Sequence, residues 1–256
     1  MERPLAASRL KPQAAPVMWT HLSIGGHPAD VFEPENPRFV LVFLSDVDDV
    51  TPRGNPVWTS LLAANRCACV CPAGAEAWWL DRVWPPFDPA RSPEQYLLDD
   101  VIPAVTARYR LPAGAVAVAG VGAGGQGALR LGFRRPDRVR VVAGLGSILD
   151  FHEAYGHGTA LDDLYPSREH CRQDTAVLQV GGHAWPPYVW FGCDPDSPWF
   201  RGNDRLHEKL TAMGVPHTTD FTSRTGGHSW TYYDSLAPAL VRFAVEALEK
   251  EARRLV

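Results

Sequence analysis

Apolar residues along the chain fall into short continuous runs separated by stretches of helical periodicity. Residues 38–45 (RFVLVFLS) form the clearest run, which predicts a strand buried on both faces. Further strands are predicted at 66–70, 115–119 (AVAVA), 138–145, 188–191 and 217–221. Between them, helices are predicted at 56–65, 94–109, 126–134, 204–213 and 235–254. In the second of these, Leu97, Leu98, Val101, Ile102 and Val105 recur at helical spacing. Residues 17–24 and 30–32 flank Gly25-Gly26, a hairpin signal. A Trp- and Pro-rich loop spans 73–93, and 148–183 reads as irregular and polar, with one helix near 168–175. Strands and helices alternate from residue 38 onward. The pattern predicts an α/β fold with a mostly parallel sheet, helices on both faces and an N-terminal hairpin. Residues 1–16 read as a loose arm and 17–256 as one domain, since no linker composition interrupts them.

The chain has 256 residues, 45% of them hydrophobic. That content is too high for a disordered chain, and its interruptions argue against a membrane protein. The formal net charge of −4 argues against nucleic acid as a partner. The first residues carry charges but no apolar core of the kind a secretory signal needs. Five cysteines, sparse and odd in number, fit a reducing compartment, so a cytoplasmic location is expected. Cys67, Cys69 and Cys71 alternate and so share one strand face. No His or carboxylate joins them at ligand spacing, so they read as small core residues and no metal is expected.

The segment Gly120-Val-Gly122-Ala-Gly124-Gly125 follows a predicted strand and opens a helix, which allows two readings. As G-x-G-x-x-G it would seat a pyrophosphate on a helix N-terminus and bind a nucleotide. An acidic residue should then follow about 20 positions on, and neither Asp137 nor Asp150 fits that spacing. As G-x-S-x-G it would be a nucleophile elbow, matched everywhere except at the serine, where Gly122 stands. The elbow backbone is strained, and glycine relieves the strain while removing the attacking oxygen. Gly226-Gly-His228-Ser-Trp230 lies between the last strand and the last helix, where a triad histidine belongs. Cys193-Asp194-Pro-Asp196 follows the strand at 188–191, where the triad acid belongs.

Together with residues 98–111, 119–130 (AGVGAGGQGALR) and 203–210, these motifs resemble the esterase D, S-formylglutathione hydrolase and feruloyl esterase-like family of α/β-hydrolases. The resemblance runs from about residue 38 to the C-terminus. It implies the α/β-hydrolase fold and acyl transfer by an elbow serine, a histidine and an oriented acid, with no cofactor. Carried over, His228 matches the histidine, Asp196 (or Asp194) the acid, and the Ala123 N–H one oxyanion donor. Gly122 matches the nucleophile position and cannot serve. A second departure accompanies it: where the family commonly has His-Gly after its first long strand, this chain has Ser45-Asp46-Val-Asp48-Asp49. Carboxylates there would repel a developing oxyanion. Ser147, Ser229 and Cys193 are poorly placed to replace the serine.

Other signals are weaker. His152-Glu-Ala-Tyr-Gly-His157 is one residue too long for a zinc helix. Many tryptophans fall in loops after strands, which is the ligand end of an open sheet. Trp79, Asp81, Arg82 and Trp230 are therefore candidate substrate-binding residues, with lid packing as the alternative for the aromatics. The sequence thus points to an esterase-like scaffold without a serine nucleophile, a pseudo-hydrolase binding a small molecule or a protein partner. Neither membrane nor nucleic acid is expected as a partner, and a homo-oligomer is compatible with the chain. The alternatives are a hydrolase or lyase using the His228–Asp196 pair as general base without a covalent intermediate, and nucleotide binding at 120–125.

Overall fold

The computed structural model describes residues 19–74, 76–112, 115–182 and 184–254. The expected arm at 1–16 and His183 lie outside the described residues. In chain order the elements are β1 (Trp19–Ile24), β2 (His27–Phe32), β3 (Phe39–Leu44), α1 (Pro56–Ala64), β4 (Cys67–Pro72) and α2 (Pro93–Tyr96). A single π-helical turn, Leu97–Val101, leads into α3 (Ile102–Tyr109), followed by β5 (Val116–Val121), α4 (Gly122–Arg134) and β6 (Val141–Leu145). Four short helices come next: α5 (Phe151–Ala154), α6 (Ala160–Leu164), α7 (Arg168–Gln173) and α8 (Ala176–Gln179). The chain closes with β7 (Tyr188–Gly192), α9 (Phe200–Ala212), β8 (Thr218–Asp220) and α10 (Trp230–Arg254). No helix among the described residues is long and apolar enough to cross a membrane.

The strands form one sheet in the order β1-β2-β4-β3-β5-β6-β7-β8. Strand β2 is antiparallel to both neighbours, and the rest are parallel. The hairpin turns at Gly25-Gly26, both at positive φ, as only glycine does freely. Each central strand is buried on both faces, which explains its uninterrupted apolar run. Along β3, Val40, Val42 and Leu44 enter the core layer under α3, α4 and α9, while Leu41 and Phe43 enter the layer under α1 and α10. Cys67, Cys69 and Cys71 also belong to this second layer, where they are fully buried.

Two differences from the sequence reading have physical causes. Helix α4 begins at Gly122 rather than Gln126. Its glycines have poor helical propensity, but tertiary contact imposes the helix on them. The stretch 148–183 holds four short helices instead of one. Each is too short to show a period; α5 packs on α7, and α8 packs on α4 and α9.

Strand β3 has β4 on one side and β5 on the other, so the winding direction reverses between β3 and β5. The loops that leave the carboxyl ends of these two strands therefore meet, at the place where open α/β sheets bind ligands. Asp46 follows β3 and Gly122 follows β5. Their approach depends on α4 lying almost against β3. A Cβ on Gly124 would fall 2.0 Å from the Leu44 carbonyl oxygen, and one on Gly120 would fall 2.5 Å from the same atom.

A backbone contact of this kind cannot give way as a flexible side chain can. We expect Gly124→Ala to lower unfolding free energy by about 2–3 kcal/mol or more, as overpacking does. Gly182→Ala, where a Cβ would meet nothing within 4 Å, should change it by less than about 1 kcal/mol. Urea unfolding of both variants checks the contrast; equal effects would show that α4 is not seated on β3.

Candidate functional site

At the switch point, the carboxylate of Asp46 occupies the space that a side chain at position 122 would need. Gly122 sits at φ +54, and a Cβ on it would fall 2.0 Å from Asp46 Oδ2. Asp46 is held there from three sides. Its Oδ1 accepts the backbone N–H of Ala123 at 2.8 Å and of Val47 at 2.9 Å. Its Oδ2 lies 2.9 Å from His228 Nε2. The Ala123 N–H, expected as an oxyanion donor, is thus already bound to an anion from the chain itself. Burial raises the Asp46 carboxyl, but the hydrogen bonds from His228, Ala123 and Val47 and the His228 charge outweigh burial and hold it below the usual carboxylate value.

His228 is fixed at both ring nitrogens. Tyr233 Oη is 2.9 Å from Nδ1 and 3.4 Å from Nε2. An ionised carboxylate only accepts, so the proton between Asp46 and His228 resides on Nε2. Tyr233 can then donate to Nδ1 of the neutral ring, or accept from the charged one. In either form Nε2 carries a proton and has no lone pair to take one from a nucleophile. That is the reverse of the tautomer an acyl-transfer triad requires. Burial, followed by the Asp46 charge, pushes the Tyr233 phenol above its ordinary value, so its proton is retained.

The pairing of His228 with Asp196 is corrected by this geometry. Asp196 lies on an exposed turn, where its carboxylate meets Arg224. Asp194 is buried, but it accepts the backbone N–H groups of Thr225 at 2.7 Å, Gly227 at 2.9 Å and Asp196 at 2.8 Å. Burial raises its carboxyl, and those three N–H groups more than reverse the effect. Asp194 therefore shapes the loop that carries His228 without touching the ring. Tyr233, which sequence reasoning missed, takes the place expected of the acid. The signal was present: five residues beyond His228, it lies in the first turn of the final helix, facing back toward the loop.

The candidate substrate-binding residues do not converge. Trp79 is buried, and its indole N–H donates to the Ser45 carbonyl at 3.0 Å, bracing the loop that presents Asp46. The cleft lined by Asp46, Val47, Trp78, Trp79 and Ala123 has no room for a water molecule. Trp230 opens α10 and packs against Phe43 and Tyr233. Asp81 and Arg82 lie on a separate polar surface. There Asp81 meets Arg134, while Arg82 meets Asp174 and covers the Tyr165 ring. Beneath them, buried Arg130 joins Glu94 and Asp174, each at 2.6 Å. The other candidate nucleophiles are also used or inert. The Ser147 hydroxyl and the Cys193 thiol are buried, and burial pushes the thiol up to about 12. Ser229 accepts from the Tyr232 N–H.

The nucleotide reading meets the same obstacle as the esterase one. A pyrophosphate at the start of α4 would have to displace the Asp46 carboxylate, and Gly120 and Gly124 serve helix–strand contact instead of a phosphate cradle. Among the described residues no group of three or more metal-ligating side chains occurs. His152 lies in the single turn α5, and the chain leaves the helix before His157.

Solved structures similar to this chain include esterases and other hydrolases. A fluorophosphonate-binding serine hydrolase F from Staphylococcus aureus superposes with a TM-score of 0.72 at 14% identity, covering 90% of this chain and 99% of its own. An S-formylglutathione hydrolase from Agrobacterium tumefaciens gives 0.69 at 14%, covering 91% and 94%. A ferulic acid esterase gives 0.71 at 18%, covering 90% and 98%. No protein-family model matches the chain, and no curated protein matches it by sequence.

The Asp46 contacts carry a pH signature. Its folded-state carboxyl lies below the unfolded value, so its contribution to stability is full above that value and is lost as pH falls through the folded one. Asp46→Asn should cost about 1–3 kcal/mol at pH 7. The variant should also lose less stability than the wild type between pH 5 and about pH 2. Urea unfolding across that range checks this, and parallel acid limbs would contradict it. The eight-stranded sheet, the elbow at its switch point and these neighbours give the chain an α/β-hydrolase fold of the kind found in S-formylglutathione hydrolases and feruloyl esterases.

Proposed function

We propose that this protein is a pseudo-hydrolase, a binding protein on an esterase scaffold that does not perform acyl transfer. One observation carries the reading. The Asp46 carboxylate lies where a nucleophile at position 122 would stand, and it takes both the Ala123 N–H and the His228 Nε2–H. Gly122 lacks the attacking oxygen, and the carboxylate takes two further requirements of the reaction, an oxyanion donor and the free lone pair of the base.

The same contact speaks against a general-base hydrolase or lyase built on His228. Such a base needs an unprotonated nitrogen facing the substrate. Nε2 faces a carboxylate, and Nδ1 faces the Tyr233 hydroxyl. A scaffold relieved of catalysis retains its loops at the ligand end of the sheet. Recognition of a small molecule or of a protein partner is the role that remains.

A fluorophosphonate serine probe tests the reading. Wild-type protein should remain unlabelled. Gly122→Ser alone should also remain unlabelled and should lose about 1–3 kcal/mol from backbone strain, with a further loss from the Asp46 clash. Adding Asp46→Gly to that variant removes the clash and frees both donors, so the double variant should recover stability and take up the probe. Stoichiometric labelling of the wild type would overturn the proposal.

A further inference from the structure

The elbow is filled, but a second concavity opens beside it at the same end of the sheet. It has a volume of about 370 Å³ and lies between the residues that follow β6, the turn of α5, the helices α7 and α8, and the first turns of α9. Its volume falls within the ~300–1,000 Å³ range of small-molecule sites. Leu149, Val177 and Leu178 give it an apolar wall, and Leu178 is 46% exposed, unusual for a leucine of this chain. Three guanidinium groups stand around that wall: Arg172 from α7, and Arg201 and Arg205 one turn apart on α9.

Asp150 is the hydrogen-bonded carboxylate of the cavity, and the guanidinium donors are not exhausted. Asp150 gives one oxygen to the His152 N–H and the other to Arg205. Glu153 faces Arg201 at 3.7 Å, beyond hydrogen-bond reach, so the Arg201 N–H groups remain available. Arg172 is held by Glu169, which lies outside the cavity, through Nε and one terminal nitrogen, leaving its second terminal nitrogen for a ligand. A planar carboxylate is the group that such forks bind best. The leucine and valine wall would take an apolar chain attached to it.

We infer that this cavity is the ligand site of the protein and that it binds a monocarboxylate with a medium-length apolar tail. The inference rests on the binding role proposed above, and it moves that role from the closed elbow to the cavity between α7, α8 and α9. Arg201 and Arg172 receive the headgroup, and Leu149, Val177 and Leu178 receive the tail. The pair between the buried Asp150 carboxylate and the exposed Arg205 guanidinium ties α9 to the residues that follow β6.

Calorimetric titration of the full chain with sodium octanoate, and separately with octan-1-ol, tests the inference. Octanoate should bind saturably at one site, and the alcohol at least tenfold more weakly. The Arg172→Gln/Arg201→Gln double variant and Leu178→Glu should each weaken octanoate at least tenfold, while melting as the wild type does. Absence of saturable octanoate binding, equal binding of the alcohol, or full affinity in both folded variants would overturn the site. The same samples mixed with p-nitrophenyl octanoate separate the two claims. Turnover that survives the cavity substitutions would overturn the pseudo-hydrolase reading and leave the titration result to judge the cavity.

Discussion

A single carboxylate, that of Asp46, fills the elbow of this scaffold. Asp46 leaves the end of β3 and enters the space above Gly122, where it binds the first free N–H of α4 and the Nε2–H of His228. An anion at a helix N-terminus is electrostatically favourable in any fold. In an esterase the anion at this place is transient, the oxyanion of a tetrahedral intermediate. Here a permanent one takes the position. Because it is tethered, its binding is intramolecular, and a dissolved anion has to compete with it for the Ala123 N–H.

The surroundings are consistent with that occupant. Glycine at 122 accepts the positive φ of the elbow and leaves the room that the carboxylate fills. Tyr233 replaces a charged acid behind His228, so the ring is bracketed by one anion instead of two. Trp79 donates to the Ser45 carbonyl and braces the loop that presents Asp46. Asp194 continues to organise the His228 loop through backbone N–H groups, a structural task independent of any reaction. The polar groups of Asp46 and His228 at the elbow are thus hydrogen-bonded within the chain itself.

The fold was legible because its signals are local. Runs such as FVLVFL in β3 and CACVCP in β4 are short and bounded, which marks them as doubly buried strands, and glycine pairs mark the turns. The start of α4 was not legible, because glycine propensity speaks against helix and only the approach to Leu44 imposes it. At the site, Gly122, Ala123 and His228 could be read from motif and chain order, as could the hostility of Asp46 to an oxyanion. That Asp46 would itself reach His228 could not be read, since residues 46 and 228 meet only through the sheet order and the crossover between β3 and β5. Asp196, which the resemblance matches to the acid, lies in solvent with Arg224 because the turn at 194–197 points it outward. Asp81 and Arg82 were grouped with Trp79 by sequence proximity. The chain bends after Trp79 and delivers them to a different surface.

The central claim is that the elbow holds an anion of its own and forms no acyl-enzyme. Rapid mixing with an excess of p-nitrophenyl acetate, followed by intact-protein mass measurement, addresses it directly. The account predicts no burst of p-nitrophenol and no added acetyl mass on the wild-type chain. A burst equal to the protein concentration, with one acetyl group retained on the chain, would contradict it.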